Sequence, residues 1–396
     1  MNKDKKTIRK PAPLLFWLLC LLVWPVFRLR YKTTCDRSGL RGLKGPALVL
    51  CPHISNIDFI LVALALFPHR PTFVVSEHFM ARPLIRWFLT RMHVISKKMF
   101  CPDIKTIISI LRARDSGNIV VLFPEGRLTC VGHSLNVTEG TAELVKKMGV
   151  DVYTVTENGA YKTLPKWGKA GLRPGRMHIT TAKLLDADEV AALSAAQIEA
   201  AIEKAILHDE DRLFRDVAYK CSSPALGLDG VLYKCPVCGA EFAMYTDARH
   251  ICCRACGLSA ELSEYYELKG EGLPFRYIND WYFWQEAELD LDEELVSETI
   301  VAAADPDGNI DWHAGSGVIR MDREKISFSG QCFGQPLTFT EKTAAIKALP
   351  ISVGHHFDLY HKRVMYNFIL QPDPRRAVKW TMYMDKLSKE GASGRA

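Results

Sequence analysis

The chain has 396 residues, 48% of them hydrophobic and 24% charged, with a net charge of +6. The length argues for more than one domain, and the apolar content is ample for packed cores, which excludes a mainly disordered chain. Its 12 cysteines follow no convincing secretory signal, which points to a reducing compartment and away from a disulfide scaffold.

The charge is informative by placement. Lys3, Lys5, Lys6, Arg9 and Lys10 precede an uncharged apolar run over residues 11–27 that carries Trp17 and Trp24, and Arg28, Arg30 and Lys32 follow it. The run is at the short end of what spans a bilayer as a helix, and Pro25 disfavours its last turn. No small-residue cleavage site follows, since Trp24-Pro25-Val26-Phe27-Arg28 is bulky. A membrane-embedded or interfacial anchor over residues 1–32 is therefore expected, in preference to a cleaved signal or a buried core helix. Basic residues on both flanks give no orientation.

Strands and helices then alternate. Ala47-Leu48-Val49-Leu50-Cys51 reads as a buried strand that Pro52 stops. Ser55 can N-cap a helix that begins near Asn56. Thr72-Phe73-Val74-Val75 is strand-like, and residues 83–90 form a short helix with Trp87 and Phe88. Asp103 can cap a helix in which Ile104, Ile107, Ile108 and Leu111 recur at helical spacing. Gly117 ends that helix before the apolar run Ile119-Val120-Val121-Leu122-Phe123, and Thr138 opens a helix through Met148. Tyr161 to Trp167 and Arg173-Pro174-Gly175-Arg176 make a basic loop that either meets lipid headgroups or is solvated. An alanine-rich helix follows at about 188–208. This order predicts an α/β fold with a largely parallel sheet, with ligands at the carboxyl ends of its strands.

Two stretches at such strand ends carry chemistry. In Cys51-Pro52-His53-Ile54-Ser55-Asn56-Ile57-Asp58 a histidine and a carboxylate stand five positions apart. On one helix they would point roughly 140° apart, so only a bend can pair them. Paired, they offer a base poised near neutral pH and an acid that fixes its tautomer. Two plainer readings stay open: Ser55-x-x-Asp58 is a capping-box pattern, and His53 could be a turn residue bonded to backbone. The second stretch is Phe123-Pro124-Glu125-Gly126-Arg127. Arg127 has the planar fork that suits a phosphate, and Gly126 lets the backbone approach closely.

The H-x4-D pair followed by F-P-E-G-R resembles the glycerophospholipid acyltransferases, over roughly residues 14–185. The resemblance implies that His53 is the general base and Asp58 its partner, and that Glu125, Gly126 and Arg127 help bind the acyl acceptor, with the arginine on its phosphate. Where the family has an arginine after its third strand, this chain has Val94-Ile95-Ser96-Lys97-Lys98, so Lys97 or Lys98 must serve. Tyr153, in Val150-Asp151-Val152-Tyr153-Thr154-Val155, stands near the position of a family proline.

Cys235-Pro-Val-Cys238-Gly and Cys253-Arg-Ala-Cys256-Gly, separated by fourteen residues, have the spacing of two zinc knuckles. The strand-like residues between them predict a zinc ribbon with Cys235, Cys238, Cys253 and Cys256 on a structural Zn²⁺, closed and therefore not catalytic. Cys252 could substitute for Cys253, and His250 is expected to be an exposed strand residue. Glu261, Glu264 and Glu267 nearby leave no basic surface, so nucleic acid is not expected as a partner. Residues 286–298 are acidic and read as a helix or linker. From residue 318 short strands follow one another, closed by a helix over about 373–387, a pattern like a pleckstrin-homology or GRAM-type domain. His355, His356 and His361 are better explained by strand alternation than by a metal.

The expected domains are the anchor (1–32), an acyltransferase domain (33–215), the zinc ribbon (216–265), a linker (266–300) and a β-rich domain (301–396). The expected function is membrane-associated transfer of an acyl group to a lysophosphatidic-acid-like acceptor at the cytoplasmic face of a bacterial inner membrane. Acyl-CoA, acyl carrier protein or acyl phosphate would be the donor, and membrane lipids, a lysophospholipid and acyl carrier protein the partners. The alternatives are a lysophospholipid with a larger headgroup, or a zinc-ribbon membrane adaptor with a degenerate acyltransferase domain.

Overall fold

The computed structural model describes residues 7–81, 83–98, 103–305, 309–362 and 364–393. Lys3, Lys5 and Lys6 of the basic leader lie outside the described residues. The chain divides into two units, one of residues 1–166 and 172–220, the other of 167–171 and 221–396.

The first unit begins with helix α1 (Pro13–Arg30), then β1 (Thr34–Asp36), β2 (Ala47–Leu50), α2 (Asp58–Leu66) and β3 (Thr72–Ser76). Helix α3 (Pro83–Arg91), β4 (Ile95–Lys97), α4 (Ile104–Asp115) and β5 (Ile119–Leu122) continue it. It closes with α5 (Thr141–Met148), β6 (Val152–Asn158), α6 (Ala160–Thr163), β7 (His178–Leu185), α7 (Ala187–Ala192) and α8 (Ala195–Ile206). The seven strands run in the order β1-β7-β6-β2-β5-β3-β4, parallel except where β6 meets β7. The central strands β2 and β5 are apolar on both faces because helices cover both. Their parallel register, Leu50 opposite Leu122, brings the two motif loops out side by side at the carboxyl end of the central strands.

Several local expectations change in the structure. Helix α2 starts at Asp58 with Ile57 before it, because the Ser55 hydroxyl is spent on the carbonyl of Leu164 instead of a cap. Helix α5 starts at Thr141, after Gly140 in the left-handed region. The alanine-rich segment breaks into α7 and α8 because Ser194 and Gln197 form a second capping box. The basic loop is solvated only in part: Arg176 is exposed, but Lys162 and Arg173 are buried, and Lys162 donates to the carbonyl of Leu213 beside the charges of Glu210 and Asp211.

Helix α1 buries only Phe16, Cys20 and Phe27, while Leu14, Leu18, Leu21, Leu22, Val26 and Leu29 face outward. Its start is tied to the domain by Arg70 on the carbonyl of Pro11 and by the Trp17 indole on that of Pro68. Its end returns through Thr33 N–H on the carbonyl of Phe27. Helix α4 is capped by Asp103 as expected, yet buries Thr106, Ile110 and Ala113, leaving Ile104, Ile107 and Ile108 exposed.

The second unit holds β8 (Met244–Thr246), β9 (His250–Cys253), β10 (Ser259–Leu262) and β11 (Leu268–Lys269), an antiparallel sheet in the order β11-β10-β9-β8. Helix α9 (Ile278–Ala287) follows, so the stretch 266–300 is more than a connector: Ile278 and Trp281 are buried, and the Trp281 indole donates to the carbonyl of Lys234. Then come β12 (Leu295–Ala304), β13 (Ile310–Met321), β14 (Lys325–Cys332), β15 (Gln335–Lys342), β16 (Ile351–Ser352), β17 (His356–His361), β18 (Val364–Leu370) and α10 (Ala377–Ser393). These strands form one antiparallel sheet, β15-β14-β13-β12-β18-β17-β16, with β12 bonded to both β13 and β18. Helix α10 buries Ala377, Trp380 and Met384, and Trp380 stacks on Phe357 of β17. Lys379 of α10 bonds Glu241 and Glu293, and Arg375 bonds Asp229, so the small sheet and the large one are built into one body.

Candidate functional site

Strand β2 ends at Leu50, and the chain bends at Pro52 so that His53 and Asp58 fold back on each other. His53 Nδ1 lies 3.0 Å from Asp58 Oδ2, which also accepts the N–H groups of Ile54 (2.8 Å) and Ser55 (2.9 Å). This is half of a capping box, with the carboxylate turned onto the loop and shared with the histidine. Asp58 is fully buried and burial pushes its carboxyl up, against the pull of His53 and the two amides. The imidazole is 29% exposed, so one edge reaches solvent. It stacks on Phe123 at 4.6 Å, a neighbour that the spacing of the motifs alone did not reveal. With Nδ1–H given to Asp58, Nε2 is the nitrogen left to accept a proton.

The loop after β5 completes the site. Glu125 is buried, and its carboxylate accepts the backbone N–H of His53 (3.2 Å) and of Leu135 (3.1 Å). Both oxygens are thus used by the protein itself, making Glu125 the brace between the two motif loops. Gly126 has φ +72°, where a side chain would be strained, and a Cβ there would come 3.2 Å from Thr138 Oγ1. Arg127 is half-buried, and its charge is felt at Glu125. Lys97 pairs with Ser76 at the same end of the sheet, on β4, two strands beyond β5. At strand spacing that is roughly 14 Å from β2. The Lys98 N–H helps anchor Asp103 (3.0 Å). Tyr153 points its hydroxyl at Asp151 and its ring at Lys183, not at His53.

Burial comes first in raising Glu125 to about 8, against the N–H groups of Leu135 and His53. Unfolded glutamates titrate near 4.3, so between that pH and about 8 the folded state binds the extra proton. Stability of this unit should then fall as pH rises through the window. Thermal melts from pH 5 to 8 should show the decline, and Glu125→Gln should flatten it; a decline of equal slope in the variant would show that another group carries it.

In the second unit, Cys235, Cys238, Cys253 and Cys256 bring their sulfurs within 4.8 Å of one another. The Cys235–Cys256 and Cys238–Cys253 separations are 3.7 and 3.8 Å. Four sulfurs about 2.3 Å from a central zinc form a tetrahedron with edges of about 3.8 Å, so the donor set fits that ion. Gly239 and Gly257 both adopt positive φ, and their N–H groups close the knuckles on the carbonyls of Cys235 and Cys253. Cys252 stands outside the cluster, against Ser259, and His250 is a half-buried partner of Asp247. His361 bonds Glu341 and His356 approaches Asp358, so these histidines have partners within their own sheet.

Residues 30–157 match the family model described as Acyltransferase. Among solved structures, the 1-acyl-sn-glycerophosphate (LPA) acyltransferase PlsC from Thermotoga maritima is similar at 16% identity, with a TM-score of 0.38, covering 49% of this chain and 94% of that one.

Proposed function

From the match of residues 30–157 to the Acyltransferase family model, we propose that the chain is a glycerophospholipid acyltransferase that moves an acyl group from a thioester or acyl phosphate to the free hydroxyl of a lysophosphatidic-acid-like lipid. The observation that carries this is the 3.0 Å contact of His53 Nδ1 with Asp58 Oδ2 at a solvent-reached strand end. In this reading Nε2 of His53 takes the hydroxyl proton as the acceptor oxygen attacks the acyl carbonyl. Collapse of the adduct releases the thiolate or phosphate, and the imidazolium returns the proton to it. Asp58 holds the ring and offsets its charge. Arg127 binds the acceptor phosphate, with Lys97 or Lys98 reaching it from the edge of the sheet, and Glu125 keeps the two loops in register. Purified protein in mixed micelles, offered acyl-CoA, acyl carrier protein or acyl phosphate with lysophosphatidic acid or larger-headgroup lysophospholipids, would identify the pair. Absence of transfer with every combination would sink the reading.

The same proposal puts the protein on the membrane through α1. A helix tied to its domain at its start, with one buried stripe and an apolar outer surface, suits one that lies in a leaflet. Deleting residues 1–30 should move much of the protein to the soluble fraction. An unchanged membrane fraction would shift the anchor to other exposed apolar residues, such as Leu84, Trp87 and Ile104. The four-cysteine cluster would hold a structural zinc that keeps the small sheet folded.

A further inference from the structure

Among the described residues of the first unit, Glu157 is a fully buried carboxyl with no hydrogen-bond partner for either oxygen. It is the next-to-last residue of β6, a strand otherwise suited to the core. Strand β6 pairs with β2 through Thr154 and Leu50, so three residues onward along each chain stand Glu157 and His53. Of the charges that act on Glu157, Asp58 is the strongest and Glu125 the next, and the Cys35 thiol lies near as well. Cys51 feels Glu157 and Asp58 together. An anion in this position would face the Asp58 carboxylate, with no donor from another residue to offset it. Glu157 is therefore a neutral acid, and a neutral acid has an O–H to give.

The acceptor available to it is equally specific. Asp58 Oδ2 takes the bonds from His53, Ile54 and Ser55, while Asp58 Oδ1 is buried and takes none. We infer that Glu157 is a positioning residue for the His53–Asp58 pair, giving its carboxylic proton in a hydrogen bond to the Asp58 oxygen that the histidine does not use. Held on both oxygens, the Asp58 carboxylate cannot swing away from the imidazole. A neutral partner also adds no second negative charge, which would stabilise the imidazolium too far for it to return its proton to the leaving group. This rests on His53 being the base. In sequence the signal was a lone acidic residue in Val152-Tyr153-Thr154-Val155-Thr156-Glu157.

The test compares Glu157→Gln and Glu157→Leu with the parent, reading kcat, acceptor KM, melting temperature and the His53 imidazole titration by NMR. Glu157→Leu should lower kcat by about 10- to 100-fold, since small displacements of a catalytic group cost that much. Acceptor KM should hold, and the melting temperature should stay or rise, because an apolar residue suits the pocket. Glu157→Gln, which keeps a donor, should lose less and leave the His53 titration where it was. Parental kcat in the leucine variant would overturn the inference. So would a fall of about one unit in the His53 pKa in Glu157→Gln, which would reveal an ionised Glu157. Should the leucine variant not fold, the glutamine variant still decides. Should the parent transfer no acyl group, the proposed reaction fails, and the imidazole titration still tells whether Glu157 is neutral.

Discussion

Acyl transfer by a His53→Ala protein is expected to fall by about 10² to 10⁴-fold, the usual worth of a general base. The loss should sit in kcat, because the acceptor phosphate is held by Arg127 and the lysines in the proposed complex. Folding should be little changed: the ring is partly exposed, and without it Asp58 keeps the N–H groups of Ile54 and Ser55. Asp58→Asn separates orientation from structure. The substituted amide could still accept from the N–H groups of Ile54 and Ser55 through its carbonyl oxygen, yet it would offer His53 no negative charge. Activity should therefore drop further than melting temperature. Near-parental turnover in purified His53→Ala would remove His53 from the chemistry, and equal losses of stability and activity in Asp58→Asn would make Asp58 a loop brace only.

Elemental analysis of the purified chain should give one zinc, and Cys235→Ser with Cys256→Ser should abolish it. Structural zinc supplies on the order of 10 kcal/mol of apparent binding free energy in small domains. That exceeds what the four short strands of the small sheet could offer from their own core. Residues 230–262 should loosen and become protease-sensitive. Because Glu241 bonds Lys379 and Asp229 bonds Arg375, the loss should also lower the melting of the β-rich sheet and α10. His53, Asp58 and Arg127 belong to the other unit, so short assays with soluble acceptor should still show transfer. A metal-free double mutant that keeps its circular dichroism yet shows no turnover would give the ribbon a direct part in catalysis. Metal-free protein with unchanged protease resistance would deny the cluster a structural role.

Local patterns along the chain are enough to locate the strands that carry the site and the loops that end them. Runs of buried aliphatics stopped by Pro52 and Pro124 can be read without a fold, because both signals are set within a few residues. The same holds for Asp103 as a cap, for the cysteine spacing with its two glycines, and for Ala377, Trp380 and Met384 on one helical face. What the polar groups do is set by packing between distant segments. Ser55 could have capped its helix, but its hydroxyl goes to Leu164, 109 residues away, and the Asp58 carboxylate takes His53 together with the N–H groups of Ile54 and Ser55. Glu125 is the brace between two loops because Leu135 and His53 present their N–H groups to it. Lys162 and Arg173 look like surface charges in sequence and are buried, Lys162 against the carbonyl of Leu213 and the charges of Glu210 and Asp211. Glu157 is isolated among core residues only once β6 lies beside β2. Local patterns record how a segment satisfies its own backbone. A side chain's partners, and with them its charge and function, depend on which distant strands are packed against it.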